Sequence, residues 1–425
     1  MPENDHAADG EPREKSDRPF PPVPRDGEVF SISAEAFQES FGEDIHRTLN
    51  LETWRIGSDV NAEYSRIERE VRDAVAREDD LQRNIRTELF PRLKTALRAP
   101  KNAGVHPARR DVLKDIHERL LFSGGVEACD GTTQVHSTLP LTIFQIGVCL
   151  LSYQGDQGAY GQRLFHRDLR QKTDNPVQEV LDILERRARR NGSGSGEGLG
   201  ELARKAIQDY GERAILLRHS RAPWRMGHGN PITYELLTGG GNLELMAESA
   251  KVLRELVEIH QKFVFVASEP HDRMLLTIGQ ALHPMEYAIV STLDEQIEDW
   301  VHQRRFAVNT AARVTWDQEV ISAAELIPRL IERVASKIVV GLFRATQMAP
   351  AQMFYAHIDH ADLAAHIVLA DSMLQDHKGF PLLADMTRRV CKTVFGDTLE
   401  ELSRTAFAAA GVPWRYLANR IDGSR

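Results

Sequence analysis

Gly124-Gly125-Val126-Glu127-Ala128-Cys129-Asp130-Gly131-Thr132 is where the chain changes character. Before it the hydrophobic pattern is helical. After it come short β-branched runs separated by turn residues. The paired glycines break a helix, and Val126 to Cys129 reads as a buried strand delivering a carboxylate at Asp130. Leu139 to Tyr153 and Tyr160 to Asp168 read as two further strands, antiparallel to the first, with turns expected at Asp130-Gly131 and Gly155-Asp156.

Upstream, residues 31–120 read as helical. From Asn61 to Leu97 the apolar positions Tyr64, Ile67, Val71, Val75, Leu81, Ile85, Leu89, Leu93 and Leu97 recur at steps of mostly three or four. That is the helical period, with charge on the opposite face. A long amphipathic helix or hairpin follows from this, serving as a dimerisation or docking arm or simply packing on its own domain. Residues 1–28 are rich in Pro and charge and too poor in apolar groups to offset their ordering entropy, so a disordered tail is expected. The expected domains are therefore 1–28 (tail), 29–120 (helical arm) and 121–425 (core).

Downstream, helices are expected at 175–190, 200–220, 243–260, 270–282, 361–375 and 381–394. Residues 191–199 read as a flexible Gly/Ser linker. Strands are expected at Phe263–Ala267, Tyr287–Val290, Ile338–Phe343 and Met353–His357. Strands first, then strands alternating with helices, give an α/β fold with a mixed sheet flanked by helices and an added N-terminal helical region.

Composition narrows the class. In 425 residues, 53 Lys and Arg stand against 62 Asp and Glu, a balance of −9 that excludes a protein coating nucleic acid by bulk charge. The charge is uneven: ten Lys or Arg lie between Arg83 and Arg119 against four acids, and Arg186 to Arg190 adds a second basic run. Local phosphate contacts are compatible with either patch, as are plain solvated helix faces. Three cysteines, Cys129, Cys149 and Cys391, without CxxC spacing, give neither a disulfide framework nor a cysteine zinc site. Met1 to Asp26 has no apolar run, so no signal peptide is expected, and no apolar stretch is long enough for a membrane span. A cytoplasmic setting follows.

Four constellations carry candidate chemistry. Asp130-Gly131-Thr132 sits at a strand end, where a carboxylate suits Mg²⁺ or Mn²⁺; its ordinary alternative is a β-turn. In Arg225 to Gly241, dense in glycine, Glu235 is a candidate half-buried acid, alternatively paired to Arg225 or His228. After the Phe263–Ala267 strand, Glu269 and Asp272 are well placed to meet Asp130, although Ser268 as an N-cap with Pro270 in the first turn explains the same residues. Last, His357, Asp359 and His360 cluster near a strand end without zinc spacing. No GxSxG elbow, GxGxxG or P-loop is present.

These motifs together resemble the NurA nucleases, partners of HerA-type hexameric translocases. Asp130-Gly131-Thr132 is similar to that family's first-strand Asp-Gly-Ser, and Gly379-Phe380-Pro381 to its C-terminal Gly-Tyr-Pro. Ser268-Glu269-Pro270 stands where the family carries a second Asp-Gly-Ser, and Asp385 follows where it often has a histidine. The resemblance covers roughly residues 120–410. It implies an RNase H-like core and a DNA nuclease dependent on Mn²⁺ or Mg²⁺. It implies metal ligands at Asp130, Glu235 and Glu269 or Asp272; for hydrolysis at such a site a lysine or a histidine, with His357 and His360 as candidates, would move a proton. It further implies a homodimer bound to a hexameric ATPase, acting in DNA repair or anti-phage defence. A catalytically degraded NurA-like adaptor, or a hydrolase of small phosphoesters, are the rival expectations.

Overall fold

The computed structural model describes residues 33–54, 59–137, 141–154, 160–168, 195–267, 273–302, 313–396 and 398–413. The expected tail at 1–28, the helix at 175–190, the turn at Gly155-Asp156, and Glu269 and Asp272 lie outside them. The chain divides into two units, Met1–Arg77 and Glu78–Arg425.

In the first unit, α1 (Ala34–Phe41) and α2 (Ile45–Leu49) precede α3 (Asp59–Asn84), whose residues run on past Arg77. Asp44 caps α2 by accepting from the His46 N–H at 2.7 Å, satisfying a donor the helix itself cannot. The Trp54 indole N–H donates to the Thr48 carbonyl at 2.8 Å and folds the short segment back on itself. Tyr64, Ile67, Val71 and Val75 form the expected apolar stripe of α3 and are exposed.

The second unit is built on a nine-stranded sheet of order β1-β7-β10-β11-β6-β5-β2-β3-β4. Its strands are β1 (Gly104–Pro107), β2 (Val126–Ser137), β3 (Leu141–Leu151), β4 (Tyr160–Asp168), β5 (Trp224–His228), β6 (Phe263–Ala267), β7 (Glu286–Thr292), β10 (Ile338–Arg344) and β11 (Gln352–His357). The hairpin β8 (Arg313–Trp316) and β9 (Glu319–Ser322) stands apart. β5 pairs in parallel with β2 and β6, and the other described pairings are antiparallel. A mixed α/β fold with a large mixed sheet flanked by helices is thus what the sequence encodes.

Strand β6 shows why the sheet is covered on both faces. All five of its residues are buried, as a strand buried on both sides requires. Phe263 and Phe265 join a cluster with Leu253, Leu293 and Leu330. Val264 and Val266 join one with Phe354, Ile367 and Leu383 on the opposite face. The first face is covered by α5 (Ser195–His219), α7 (Leu243–Arg254), α9 (Leu293–His302) and α10 (Ala323–Arg333). The other carries α4 (Arg110–Ile116), α11 (Ala361–Ser372) and α12 (Leu382–Phe395). The short α6 (Tyr234–Thr238) and α8 (Arg273–Gln280) connect strands, and α13 (Thr398–Ala409) follows α12.

Several expectations are corrected. Asp130-Gly131 is no turn: β2 runs straight through it, with Asp130 opposite Cys149 and Gly131 opposite Val148. A ladder to β3 on one side and β5 up to Cys129 on the other overrides the dipeptide's turn preference. Arg225–His228, expected to open a glycine-rich loop running to Gly241, belong instead to the parallel strand β5. Residues 195–199, expected in a linker, open α5. Gly104–Pro107, within the segment expected to be helical, is an edge strand paired to β7. Among the described residues no helix is long and apolar enough to cross a membrane.

Candidate functional site

β5 stops at His228 and β6 at Ala267, while β2 continues to Ser137. The parallel strands therefore leave a crevice beyond their C-terminal ends, the usual ligand position in open α/β sheets. It forms a cleft of about 640 Å³ lined by Asp130, Gly131 and Thr132 from β2, His228, and side chains of α5, α6, α9 and α12. α5 contributes Lys205, Gln208, Asp209 and Glu212, spaced to share one helical face. From the opposite sheet face, α12 contributes Arg388 and Lys392, one turn apart.

Hydrogen bonds fix the α5 wall. Arg213 is buried and donates from Nη1 to Glu212 Oε2 at 2.7 Å and from Nη2 to the Asn230 carbonyl at 2.6 Å. Gln208 Nε2 donates to Glu212 Oε1 at 2.9 Å. Thr233 Oγ1 donates to Asp209 Oδ2 at 2.6 Å while accepting from the Leu236 N–H, so one hydroxyl ties α5 to the start of α6. Glu235 lies in the first turn of α6 and lines the cleft.

Asp130 is the focus. It is 4% exposed, so its carboxylate has lost nearly all solvent. Oδ1 accepts from the Gly131 N–H at 3.0 Å and lies 3.7 Å from His228 Nδ1. Oδ2 is buried without a hydrogen-bond partner. Burial, reinforced by the Glu212 charge, pushes the Asp130 carboxyl up to about 7, against the pull of Arg388 and Arg213. Glu212 is also pushed up, by burial first, with Arg213 opposing. Burial and then the charges of Arg388 and Arg213 push His228 down to about 4. The imidazole is therefore neutral at physiological pH, and its approach to Asp130 is not an ion pair.

An orphaned buried carboxylate oxygen beside a second acid is a setting that a divalent cation neutralises. Asp130 fits such an ion, and Glu235 shares its cleft. Among the described residues no group of three His, Cys, Asp or Glu side chains converges closely enough to hold a metal. Ala267, the residue at which β6 ends, lines the cleft.

His357 and His360 do not line it. β11 runs antiparallel to β6, with Met353 opposite Ala267 and Ala356 opposite Val264, which carries His357 to the far end of the sheet. There His357 Nδ1 accepts from the Asp359 N–H at 3.2 Å, and the His360 ring packs edge-on to Trp224. Tyr355, two residues earlier, is the β11 side chain that reaches the cleft. Phe380 stands edge-on to His228 with ring centres 6.0 Å apart, and Pro381 immediately precedes α12. Asp385 pairs with Lys378 and Arg389, both at 2.9 Å.

Sequence reasoning missed Glu212, Arg213, Arg388, Lys392 and Trp300. A signal existed for the first two. Lys205, Gln208, Asp209, Glu212 and Arg213 put polar groups at three- and four-residue steps inside a predicted helix, and Asp209, Glu212 and Arg213 are buried.

No protein-family model matches the chain, and no curated protein does. Among solved structures it is similar to the NurA nuclease from Sulfolobus solfataricus, with TM-score 0.41, 8% identity, and coverage of 84% of this chain and 98% of that one. A second NurA structure matches with TM-score 0.42 and 8% identity over 81% and 97% of the two chains. A third, NurA bound to dAMP and manganese, gives 0.39 and 10% over 84% and 98%. None of these similarities bears on which side chains do chemistry here.

Proposed function

We propose that this chain is a divalent-metal-dependent deoxyribonuclease hydrolysing phosphodiester bonds, with Asp130 as its principal metal ligand. The observation that carries the reading is the unpartnered Oδ2 of buried Asp130, at the end of the parallel strands in a cleft that also holds Arg388 and Lys392. The resemblance of Asp130-Gly131-Thr132 to the NurA motif supports it. So does the antiparallel meander β2-β3-β4 with β5 and β6 added in parallel beside β2, an arrangement suited to an RNase H-like core.

Asp130 and Glu235 would hold Mn²⁺ or Mg²⁺, hard cations that take oxygen donors, with Glu269 or Asp272 as further candidates. Such an ion, when bound, supplies Lewis-acid stabilisation of the phosphate and a lowered pKa for an attacking water. The chain's own side chains do the rest. Arg388 and Lys392 attract the phosphodiester, and Glu212, fixed by Arg213 and Gln208, sets its charge against Asp130 and favours the arrival of a cation between them. His228 packs beside Asp130, where burial and the charges of Arg388 and Arg213 hold its imidazole neutral. His357 and His360, at the other end of the sheet, are too remote to move a proton there in this conformation.

Purified protein on single- and double-stranded DNA, with Mn²⁺ or with EDTA, tests the reading. Cleavage that needs the metal and disappears in Asp130→Asn supports it; undiminished cleavage by that variant rejects it. A second reading, a catalytically degraded adaptor of a translocase, is favoured by the absence of three convergent ligands among the described residues. No cleavage alone or with a HerA-type hexameric ATPase, but stable binding to that ATPase, selects the adaptor. Cleavage of a generic phosphoester and not of DNA selects a small-phosphoester hydrolase. Homodimerisation, the translocase partner and a setting in DNA repair or anti-phage defence belong to the proposal, carried by the sequence resemblance.

A further inference from the structure

The cleft has two unlike walls. On α12, Arg388 and Lys392 occupy one face a turn apart, and among the described residues neither side chain is held in a hydrogen bond or ion pair, although the Arg388 charge acts on Asp130. Two cations side by side repel each other, an arrangement that a polyanion relieves. On the opposite sheet face, α9 brings Trp300 to the cleft one turn after Gln296. Asn230 Nδ2 donates to Gln296 Oε1 at 3.4 Å, which ties α9 to the loop after β5. Trp300 is half-buried: it packs on the core cluster around Leu293 and Ile297, yet presents surface to the cleft. A volume of 640 Å³ is that of a small-ligand site, room for about one or two nucleotides and not for a turn of duplex.

We propose that the cleft contains a nucleotide subsite for single-stranded DNA, with Arg388 and Lys392 taking successive phosphates and the Trp300 ring stacking on an unpaired base. The substrate class rests on the nuclease reading; the subsite itself needs no catalysis. A base can meet an indole face only when its own stacking neighbours are gone, so Trp300 selects strands or ends that are already unpaired. The phosphates on α12 then lie on the Asp130 side of the cleft, since the Arg388 charge acts on both Asp130 and His228.

The test uses the full chain in EDTA, so that binding is read apart from cleavage. Labelled oligo-dT, an abasic oligomer of equal length and a blunt duplex are titrated at low salt. Wild type should bind oligo-dT about tenfold or more tightly than the abasic strand. Trp300→Ala should erase that difference, whereas Trp300→Phe, which keeps the core filled, should retain most of it. Arg388→Gln and Lys392→Gln should weaken both single strands alike, each lowering the slope of log affinity against log salt by about 0.7. Equal binding of oligo-dT and abasic strand by wild type, preference for the duplex, retained preference in Trp300→Ala, or no binding at all overturns the proposal. If the expected pattern is found and no metal ever yields cleavage, the subsite stands and the nuclease reading falls.

Discussion

The Glu212 carboxylate lies directly against the backbone of Gly131: a β-carbon at 131 would stand 2.5 Å from Oε1. The glycine beside Asp130 is thus required for packing, to admit a second acid next to the first, and not to make a turn. Gly131→Ala should therefore push Glu212 and α5 away from β2. A loss of about 1–3 kcal/mol in urea unfolding is expected for this overpacking. Cleavage should fall with it. Gly229→Ala has nothing within 4 Å of its β-carbon but a φ of +81°, so it tests backbone strain without the clash.

Asp130 should make the protein less stable as pH rises. Its carboxyl is raised in the folded chain to about 7 from 3.8, so between those values the native state holds more protons than the unfolded chain. Stability from this group is present below about 4 and is lost progressively up to about 7. His228 acts oppositely. Its pKa falls to about 4 from 6.5, so its contribution is present above 6.5 and lost as pH falls toward 4. The two slopes oppose each other between pH 4 and 6.5. Asp130→Asn should gain on wild type as pH rises from 4 to 7, by about 2–4 kcal/mol at most, and then level off. His228→Gln should lose its disadvantage as pH falls. Urea titrations at each pH measure both; a stability gap independent of pH rejects the assigned shifts.

Cation binding should release a proton near neutrality. A carboxyl pushed up to about 7 must ionise to act as a ligand. Calorimetry of Mn²⁺ binding in buffers of different ionisation heat should show about half a proton released near pH 7 and less at pH 8. Apparent affinity should tighten over the same range. Asp130→Asn should abolish both.

Gly147 gives a remote test of the α12 wall. A β-carbon there would overlap the Phe395 ring, and Phe395 packs with Cys149 and Cys391 where α12 crosses β3. Gly147→Ala should displace α12, cost about 1–3 kcal/mol, and weaken oligonucleotide binding through Arg388 and Lys392 without touching either. Unfolding curves and the binding titrations above read the two effects separately.

Legibility followed local pattern. β6, β10, β11, α11 and α12 were readable because each is a compact apolar run or a clear three-four stripe. β5 was not: Trp224-Arg225-Met226-Gly227-His228 lacks a β-branched residue, and it is a strand because β2 and β6 hold it on both sides. β1 is likewise set by β7, not by its own four residues. Asp130 and Glu235, which line the cleft, stood out because an acid after a β-run or amid glycines is visible locally, although Asp130 lies within β2 and Glu235 in the first turn of α6. Glu212 was hidden because placing a helix at 200–220 does not say which of its polar residues is buried. His357 and His360 were drawn in because a strand end was recognised, but which end faces the cleft depends on topology, and β11 runs the other way.

The cleft's two walls belong to opposite faces of one sheet, with α5 and α9 on one side and α12 on the other. Among the described residues its gauge is consequently set by the thickness of the sheet and by where β5 and β6 stop. What fits between the walls is accordingly adjustable from the helices, through Glu212, Trp300, Arg388 and Lys392, with the strands left as they are.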